Sequence, residues 1–149
     1  MTRRSGRYIL GLGMIAVLGL AGAATAQIGV HKLAVQKRIY SMSDMGADAK
    51  LLGRMAKGQA AFDAKAAQTA VNEIAAEAAR IPKLFKAFET EPGSDAKPEI
   101  WSNYSDFTAR ATALEQAAAR ATIRGPGDLA PVLASIGAAC SGCHKAYRK

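Results

Sequence analysis

Aromatic residues, cysteines and histidines are all scarce in this sequence. Aromatic residues make up 6% of its 149 residues, and there are two cysteines and two histidines. The basic residues are spread along the chain with few aromatic neighbours, which argues against nucleic-acid binding. Cys140 and Cys143 lie so close in sequence that a disulfide between them would close a very small loop and add little stability. Segments with the alternating pattern of a strand are also missing, so a β-sheet fold is not expected.

The first 26 residues have the layout of a secretory signal peptide. Three arginines and no acidic residue precede an uncharged apolar run, and residues 24–26 supply the small side chains of an A-x-A cleavage site. The apolar run is shorter than the ~20 residues of a membrane-spanning helix, which favours cleavage over a retained anchor. We predict that residues 1–26 are a cleaved signal peptide and that export places the remaining chain, 27–149, in the periplasm of a Gram-negative source. Loss of the three arginines lowers the formal net charge from +8 to +5.

Apolar residues recur at steps of three and four along the chain after residue 26, which is the spacing of one face of an α-helix. The first helix is expected over about residues 30–57, ending at Gly58. Asp63 is the expected N-cap of the second helix, and Pro82 inside its pattern predicts a kink, or a break with a short restart. The apolar stripe of the first helix comprises Val35, Ile39, Met42, Met45, Ala49, Leu52 and Met55, and that of the second ends with Ile81, Phe85 and Phe88.

The second half of the chain repeats this pattern. A polar loop over residues 89–98, with two prolines and a glycine, precedes a third helix that begins near Glu99. A short connection over residues 124–128 follows, with Asp128 as the expected cap of the last helix. Four helices of about 20 to 28 residues, joined mostly by short loops, predict an all-α, antiparallel four-helix bundle in one domain.

Residues 140–144, CSGCH, bring both cysteines and one histidine together in the last predicted helix. Cys140, Cys143 and His144 are about one turn apart and project from the same side. A redox dithiol would need to lie at a helix N-terminus in a strand–helix frame. A structural zinc site would need four ligands, and His31 is the only cysteine or histidine of the sequence outside the motif. A c-type haem needs two thiols for its thioether bonds and an adjacent histidine for the iron. The motif therefore predicts a covalent haem with His144 on the iron.

The opposite face of the iron is open to two interpretations. The candidate second ligands are Met42 and Met45 on the apolar face of the first helix, and His31 near its start. A methionine ligand would make the protein a six-coordinate, low-spin electron-transfer cytochrome. From its spacing alone, Met42 could equally be a core residue, because methionine is a common gap-filler in helical bundles.

Four segments of the sequence resemble the cytochrome c′ family. The stretch VQKRIYSMSDMG has an arginine, a methionine four residues later and a glycine eight residues later, here Arg38, Met42 and Gly46. KGQAAFD after the first helix, SDAKPEIW before the third, and a terminal C-x-x-C-H-x-x-Y-R are also similar to that family. The resemblance covers essentially all of residues 27–149, and it implies a four-helix bundle with covalently attached haem c.

The resemblance also implies roles for the candidate site residues. Cys140 and Cys143 would hold the haem, and His144 would be the only protein ligand of the iron. Arg38 would pair with a haem propionate, for which a guanidinium is chemically suited. Met42 would cover the distal face as an apolar lid without binding the iron.

Further positions follow from the same resemblance. Asp95 matches a loop position that contacts the haem, and Arg148 would lie near the proximal imidazole. Trp101 and Tyr104 are expected in the core and the wall of the haem pocket. Ile39 is a departure, because the family commonly has glutamine after the arginine, so any polar contact from that side chain is lost.

The implied function is a haem c protein with five-coordinate, high-spin iron that binds NO and CO and is capable of one-electron transfer. The alternative is the six-coordinate, low-spin cytochrome with a methionine ligand. A classical enzyme such as a peroxidase is not expected, because the first-helix stripe offers no histidine or carboxylate for acid–base chemistry. The expected partners are small gases, a transient redox protein and, since the family often dimerises through its first two helices, a second copy of the chain.

Overall fold

The computed structural model describes residues 22–92 and 94–149, with side chains described from Leu33 onward. Most of the predicted signal peptide, residues 1–21, lies outside the described residues, so its cleavage stays a prediction. Among the described helices, none combines the length and the apolar character needed to cross a membrane. The described residues form the helices α1 (Gly22–Ala56), α2 (Ala64–Leu84), α3 (Glu99–Ser102), α4 (Tyr104–Ala119) and α5 (Leu129–Tyr147), with a 3₁₀ turn over Pro126–Asp128 before α5.

The four long helices form the predicted bundle. α2 packs against both α1 and α4, while α5 packs against α4 and α1, so the helices close into a ring around one core. The short α3 lies at the start of α4 and contacts it. The all-α, four-helix prediction is therefore confirmed, and the described residues contain no strand, only an isolated antiparallel bridge between Ala96 and Arg148.

Two of the predicted helix boundaries are confirmed by local hydrogen bonds. Gly58, with φ of 68°, occupies the left-handed region just after α1, where a residue without Cβ is least strained. The carboxylate of Asp63 accepts a hydrogen bond of 3.0 Å from the amide of Ala66 and caps α2.

Pro82 does not break α2, and no short helix restarts after it. The proline lies in the last turn, two residues before the helix ends at Leu84, so its missing N–H interrupts little of the ladder. The hydroxyl of Tyr104 donates to the carbonyl of Pro82. This carbonyl lies in the last turn of α2, where carbonyl groups have no donor inside the helix. The predicted break and restart are therefore wrong.

The third predicted helix is divided at Asn103. This residue has φ of −122° and ψ of 40°, outside the helical region, and it separates α3 from α4. Asparagine is prone to leave helical geometry because its side chain competes for nearby backbone groups. The Asn103 carbonyl still accepts from the amide of Phe107, at 3.0 Å, so the bundle direction is kept.

Asp128 is the N-cap residue of α5, but its side chain binds the turn that precedes the helix. Its carboxylate accepts hydrogen bonds from the amides of Arg124, at 2.8 Å, and Gly125, at 2.9 Å, and makes no capping bond to α5. The predicted position of Asp128 at the start of the last helix is therefore confirmed, although its side chain binds the preceding turn. By binding these two amides, the carboxylate stabilises the short connection from which α5 enters the bundle.

The buried stripe of α1 passes through Arg38 and not through Ile39. Arg38 is 3% exposed, whereas Ile39 is 53% exposed, which corrects the predicted stripe. Steps of three and four also connect Val35, Arg38, Met42 and Met45, so the spacing was compatible with either side of the helix. Phe88, 64% exposed, likewise lies outside the core because α2 has already ended.

Candidate functional site

A cavity of about 450 Å³ lies between α1 and α5, within the size range of about 300–1,000 Å³ that is usual for ligand pockets. Five of the six predicted site residues line it: Arg38, Met42, Asp95, Cys143 and His144. Much of the remaining wall is apolar, formed by Val35, Phe85, Ile100 and Phe107. The sixth predicted residue, Cys140, is half-buried one turn before Cys143 on α5 and packs against the core.

α5 presents the two thiols and the histidine because its neighbouring apolar residues are anchored in the core. Ile136 and Tyr147 are 2% and 5% exposed, which fixes the rotation of the helix around Cys140 and Cys143. No disulfide joins the two cysteines, and burial raises the pKa of each thiol. A raised pKa favours the protonated thiol, the form that would add to a vinyl group when a porphyrin is attached.

His144 lies on the cavity wall and remains accessible to solvent. Desolvation lowers the pKa of its imidazole, and the nearby positive charge of Arg148 lowers it further. A lowered pKa favours the neutral imidazole, which is the form that binds a metal.

Met42 and Met45 have different surroundings, although both lie on α1. Met42 is half-buried and lines the cavity, whereas Met45 is 7% exposed in the core and does not line it. Gly46, one turn after Met42, also lines the cavity and has open space where a Cβ would be. Of the two methionine candidates for a second iron ligand, the structure therefore places only Met42 at the site. The side chain of His31 lies outside the described residues.

Arg38 makes a set of contacts that sequence reasoning missed. Its guanidinium donates to the carbonyls of Leu84 at 2.9 Å, Ala87 at 2.8 Å and Glu89 at 2.7 Å. These carbonyls lie at and beyond the end of α2, where no helical donor reaches them. Burial lowers the pKa of Arg38, against the charge of Glu89, but an arginine remains protonated.

Two aromatic rings complete the surroundings of Arg38. The guanidinium carbon is 4.8 Å from the ring centroid of Phe85 and 5.4 Å from that of Trp101, and the Trp101 indole donates to the Phe85 carbonyl at 2.9 Å. Three of the five N–H groups of a guanidinium are used in the backbone bonds, which leaves donors for a carboxylate in the cavity. The propionate contact of Arg38 stays a prediction beside this structural role.

Asp95 lies on the rim of the cavity, where it pairs with Arg148. Two nitrogens of Arg148, Nε and Nη2, donate to Asp95 Oδ2 at 3.0 and 2.8 Å. The backbone continues the connection, because the Lys149 amide donates to the Asp95 carbonyl and the Lys97 amide to the Tyr147 carbonyl. The loop before α3 is thus fastened to the end of α5, and the predicted haem contact of Asp95 stays a prediction.

A further polar group at the site was also missed by sequence reasoning. Asp106 Oδ2 accepts from Arg110 Nε at 2.7 Å and from the Tyr147 hydroxyl at 2.6 Å. These two hydrogen bonds lower the pKa of Asp106, and the acceptor in turn raises the pKa of Tyr147. Asp106 and Arg110 are four residues apart on α4, a spacing common to many surface pairs, so the sequence carried no signal for their role.

A helical bundle whose last helix carries two thiols and a histidine beside a largely apolar cavity has the features of a c-type haem protein. The sequence model of the family described as Cytochrome C′ matches residues 33–148. The chain therefore belongs to the cytochrome c′ family, in which haem c is covalently attached, and the cavity between α1 and α5 fits that group.

Individual relatives agree with this assignment. The chain is 38% identical to cytochrome c-556 of Agrobacterium tumefaciens over 117 residues, covering 76% of this chain and 95% of the relative. The structure of cytochrome c′ from Rhodopseudomonas palustris matches with a TM-score of 0.73 and 28% identity, covering 78% of this chain and 95% of that one. A nitric oxide complex of a mutant cytochrome c prime from Alcaligenes xylosoxidans matches with a TM-score of 0.68 and 28% identity, covering 80% and 96%.

Proposed function

We propose that this chain carries a five-coordinate, high-spin haem c and binds small neutral gases such as NO and CO. The observation that carries the proposal is the apolar α1 wall of the cavity, where Val35, Ile39 and Met42 face the space beside His144. When bound, the haem supplies an iron that can take up a diatomic ligand and change between ferric and ferrous states. The nitric oxide complex of a structural relative supports the choice of ligand.

Met42 then acts as a steric lid. Its thioether is flexible and apolar, so it excludes larger and charged ligands while offering no strong hydrogen bond to them. Among the described side chains of the α1 wall, only Arg38 and Ser43 are polar, and Arg38 uses three donors on backbone carbonyls. This wall lacks an acid–base pair, which supports a role as a gas-binding and electron-transfer protein over that of an enzyme.

The second candidate function is a six-coordinate, low-spin electron carrier with Met42 on the iron. It is favoured by the position of Met42, the one methionine of α1 described at the cavity. The most similar relatives reported above include a protein named cytochrome c-556, whose name does not specify a gas ligand.

Absorption spectra of the reduced protein with and without CO separate the two candidates. We expect a broad high-spin spectrum that shifts with CO, and faster or tighter ligand binding in Met42→Ala because the lid is removed. Met45→Ala is the matched control, because Met45 lies in the core and should leave the spectrum unchanged. The alternative would be established if the parent protein has a sharp low-spin spectrum that does not change on addition of CO, and if only Met42→Ala has a high-spin spectrum.

The proposed function includes export, a transient redox partner and a homodimer. Export rests on residues 1–26, and the mass of the protein isolated from the periplasm would show cleavage before Gln27. The dimer is supported by two exposed apolar side chains two turns apart on α1, Leu33 at 50% and Tyr40 at 64% exposure. Sedimentation that shows a monomer at micromolar concentration would remove the dimer from the proposal.

A further inference from the structure

Arg110 connects α4 to the turn of α5 that carries the haem-binding motif. Its Nη1 donates to the carbonyl of Gly142 at 3.0 Å, and Gly142 stands between the two cysteines of C-x-x-C. A Cβ added at Gly142 would lie 3.9 Å from the same nitrogen, so the guanidinium rests directly against this turn. A side chain of α4 is therefore hydrogen-bonded to the backbone of the motif.

Two other residues fix the position of Arg110. Its Nε donates to Asp106 Oδ2 at 2.7 Å, and the Tyr147 hydroxyl donates to the same oxygen at 2.6 Å. The guanidinium carbon lies 5.9 Å from the centroid of the Tyr147 ring, and that ring is itself 5.4 Å from Phe107 in an edge-to-face contact. Tyr147 and Phe107 are buried and line the cavity, so the group is anchored to the wall of the site.

We propose that Arg110 is a positioning residue for the haem: it fixes the turn that holds Cys143 and His144 and places a permanent positive charge beside that turn. The planar guanidinium can reach Asp106 and the Gly142 carbonyl at once, because its donors point in different directions. Asp106 and Tyr147 hold Arg110 in this orientation. This proposal rests on the covalent haem of the family and not on the coordination number of the iron.

Two separate consequences follow for the holoprotein. Loss of the Gly142 bond should loosen the last turns of α5, so their amides would exchange with solvent faster. Loss of the positive charge should stabilise the ferric state over the ferrous state, since ferric haem carries one more positive charge, and the midpoint potential should fall. The two effects can be separated, because a lysine keeps the charge but cannot bridge both acceptors.

The test compares Arg110→Gln, Arg110→Lys and Tyr147→Phe in the haem-loaded protein. The control is Arg120→Gln, which removes the same charge from the end of the same helix, where the Arg120 guanidinium donates to the side chain of Gln116 and does not contact the motif. The measurements are amide hydrogen exchange over residues 140–148 and the midpoint potential by redox titration. Tyr147→Phe keeps both the ring and Arg110, so it provides the comparison if Arg110→Gln does not accumulate as holoprotein.

We expect Arg110→Gln to accelerate exchange over residues 140–148 at least threefold and to lower the midpoint potential. Arg110→Lys should accelerate exchange but keep most of the potential, Tyr147→Phe should do the same more weakly, and Arg120→Gln should change neither. The proposal is overturned if exchange in Arg110→Gln, or in Tyr147→Phe when the former is not obtained, equals that of Arg120→Gln. A spectrum that shows six-coordinate iron would overturn the proposed gas-binding function and leave this test intact.

Discussion

Arg38 is the residue of α1 that combines the most roles in one side chain. It lines the cavity, yet its guanidinium also ties together the carbonyls that follow α2 and lies against the rings of Phe85 and Trp101. A guanidinium suits this position because it offers several donors in one plane and a face that stacks on aromatic rings. The result is a charged residue in a buried position of the bundle.

Replacing Arg38 with methionine should destabilise the protein, whether or not haem is bound. The carbonyls of Leu84 and Glu89 would lose the donor from Arg38, whereas that of Ala87 would keep the Trp101 indole. A buried acceptor left without a partner costs about 1–3 kcal/mol. We expect a loss of at least about 2 kcal/mol in the free energy of unfolding, measured by chemical denaturation. Arg80→Met is the control, since Arg80 is exposed and paired only with Glu77, and such surface pairs contribute about 0–1 kcal/mol. Equal effects of the two changes would contradict the buried role of Arg38.

At the scale of secondary structure, the connections between helices are fixed by polar side chains that bind backbone groups. Asp63 caps the start of α2, and Asp128 collects two amides in the turn before α5. At the C-terminal end of α2, Arg38, Trp101 and Tyr104 donate hydrogen bonds to carbonyl groups that have no donor inside the helix. The bundle is thus held at its ends by specific hydrogen bonds as well as by its apolar core.

Asp128→Asn should change how stability depends on pH. The amides of Arg124 and Gly125 lower the pKa of Asp128 in the folded protein below its unfolded value of about 3.9. A carboxyl with a lowered pKa stabilises the fold above the unfolded pKa, and this contribution is lost as pH falls through the folded pKa. Asparagine keeps an acceptor oxygen but does not titrate in this range.

The measurement is the free energy of unfolding from pH 7 down to pH 2 for the parent protein and Asp128→Asn. The parent should lose more stability than the variant below about pH 4, because only the parent takes up a proton at this turn. Other acidic groups act equally in both proteins and cancel in the difference. Parallel curves through this range would mean that the Asp128 contacts do not affect acid stability.

At the scale of the whole molecule, the bundle has a large and mostly apolar cavity in which the haem of this family would pack. The cavity of about 450 Å³ is bounded by α1, α5 and the loop fastened to the end of α5. Engineered cavities of about 150 Å³ are already large for a protein interior, and leucine-to-alanine changes that create cavities cost about 2.7–5 kcal/mol. The haem of this family is therefore part of the core as well as the reactive group.

Preventing haem attachment should cost the fold at least about 3–5 kcal/mol, by comparison with those smaller cavities. In the double variant Cys140→Ser and Cys143→Ser, we expect a thermal midpoint lower by at least about 6 °C, at roughly 2–4 °C per kcal/mol for a protein of this size. Circular dichroism during heating measures both the helix content and the midpoint. An unchanged midpoint and equally sharp unfolding without haem would show that the bundle does not depend on the group.

Much of this organisation was predictable from the sequence, because helical periodicity and the C-x-x-C-H motif are local signals. The break at Asn103 and the continuity of α2 through Pro82 could not be predicted from the sequence, since both depend on how neighbouring helices pack against each other at their ends. The hydrogen bonds of Arg38 to the carbonyls after α2 and the contact of Arg110 with Gly142 also escaped prediction. A residue pair that is distant in sequence and meets only in the bundle leaves no periodic trace.

The fastening of the cavity rim to the last residues of the chain also bears on how the protein should be produced. The amide of Lys149 binds the carbonyl of Asp95, and its ammonium group lies 3.0 Å from the carbonyl of Ser94. An affinity tag fused directly after Lys149 would emerge at the mouth of the haem cavity, and a histidine tag there would bring foreign imidazoles close to the iron. A tag joined through a long polar linker, removable by a protease, would leave the rim and the spectrum of the protein as they are.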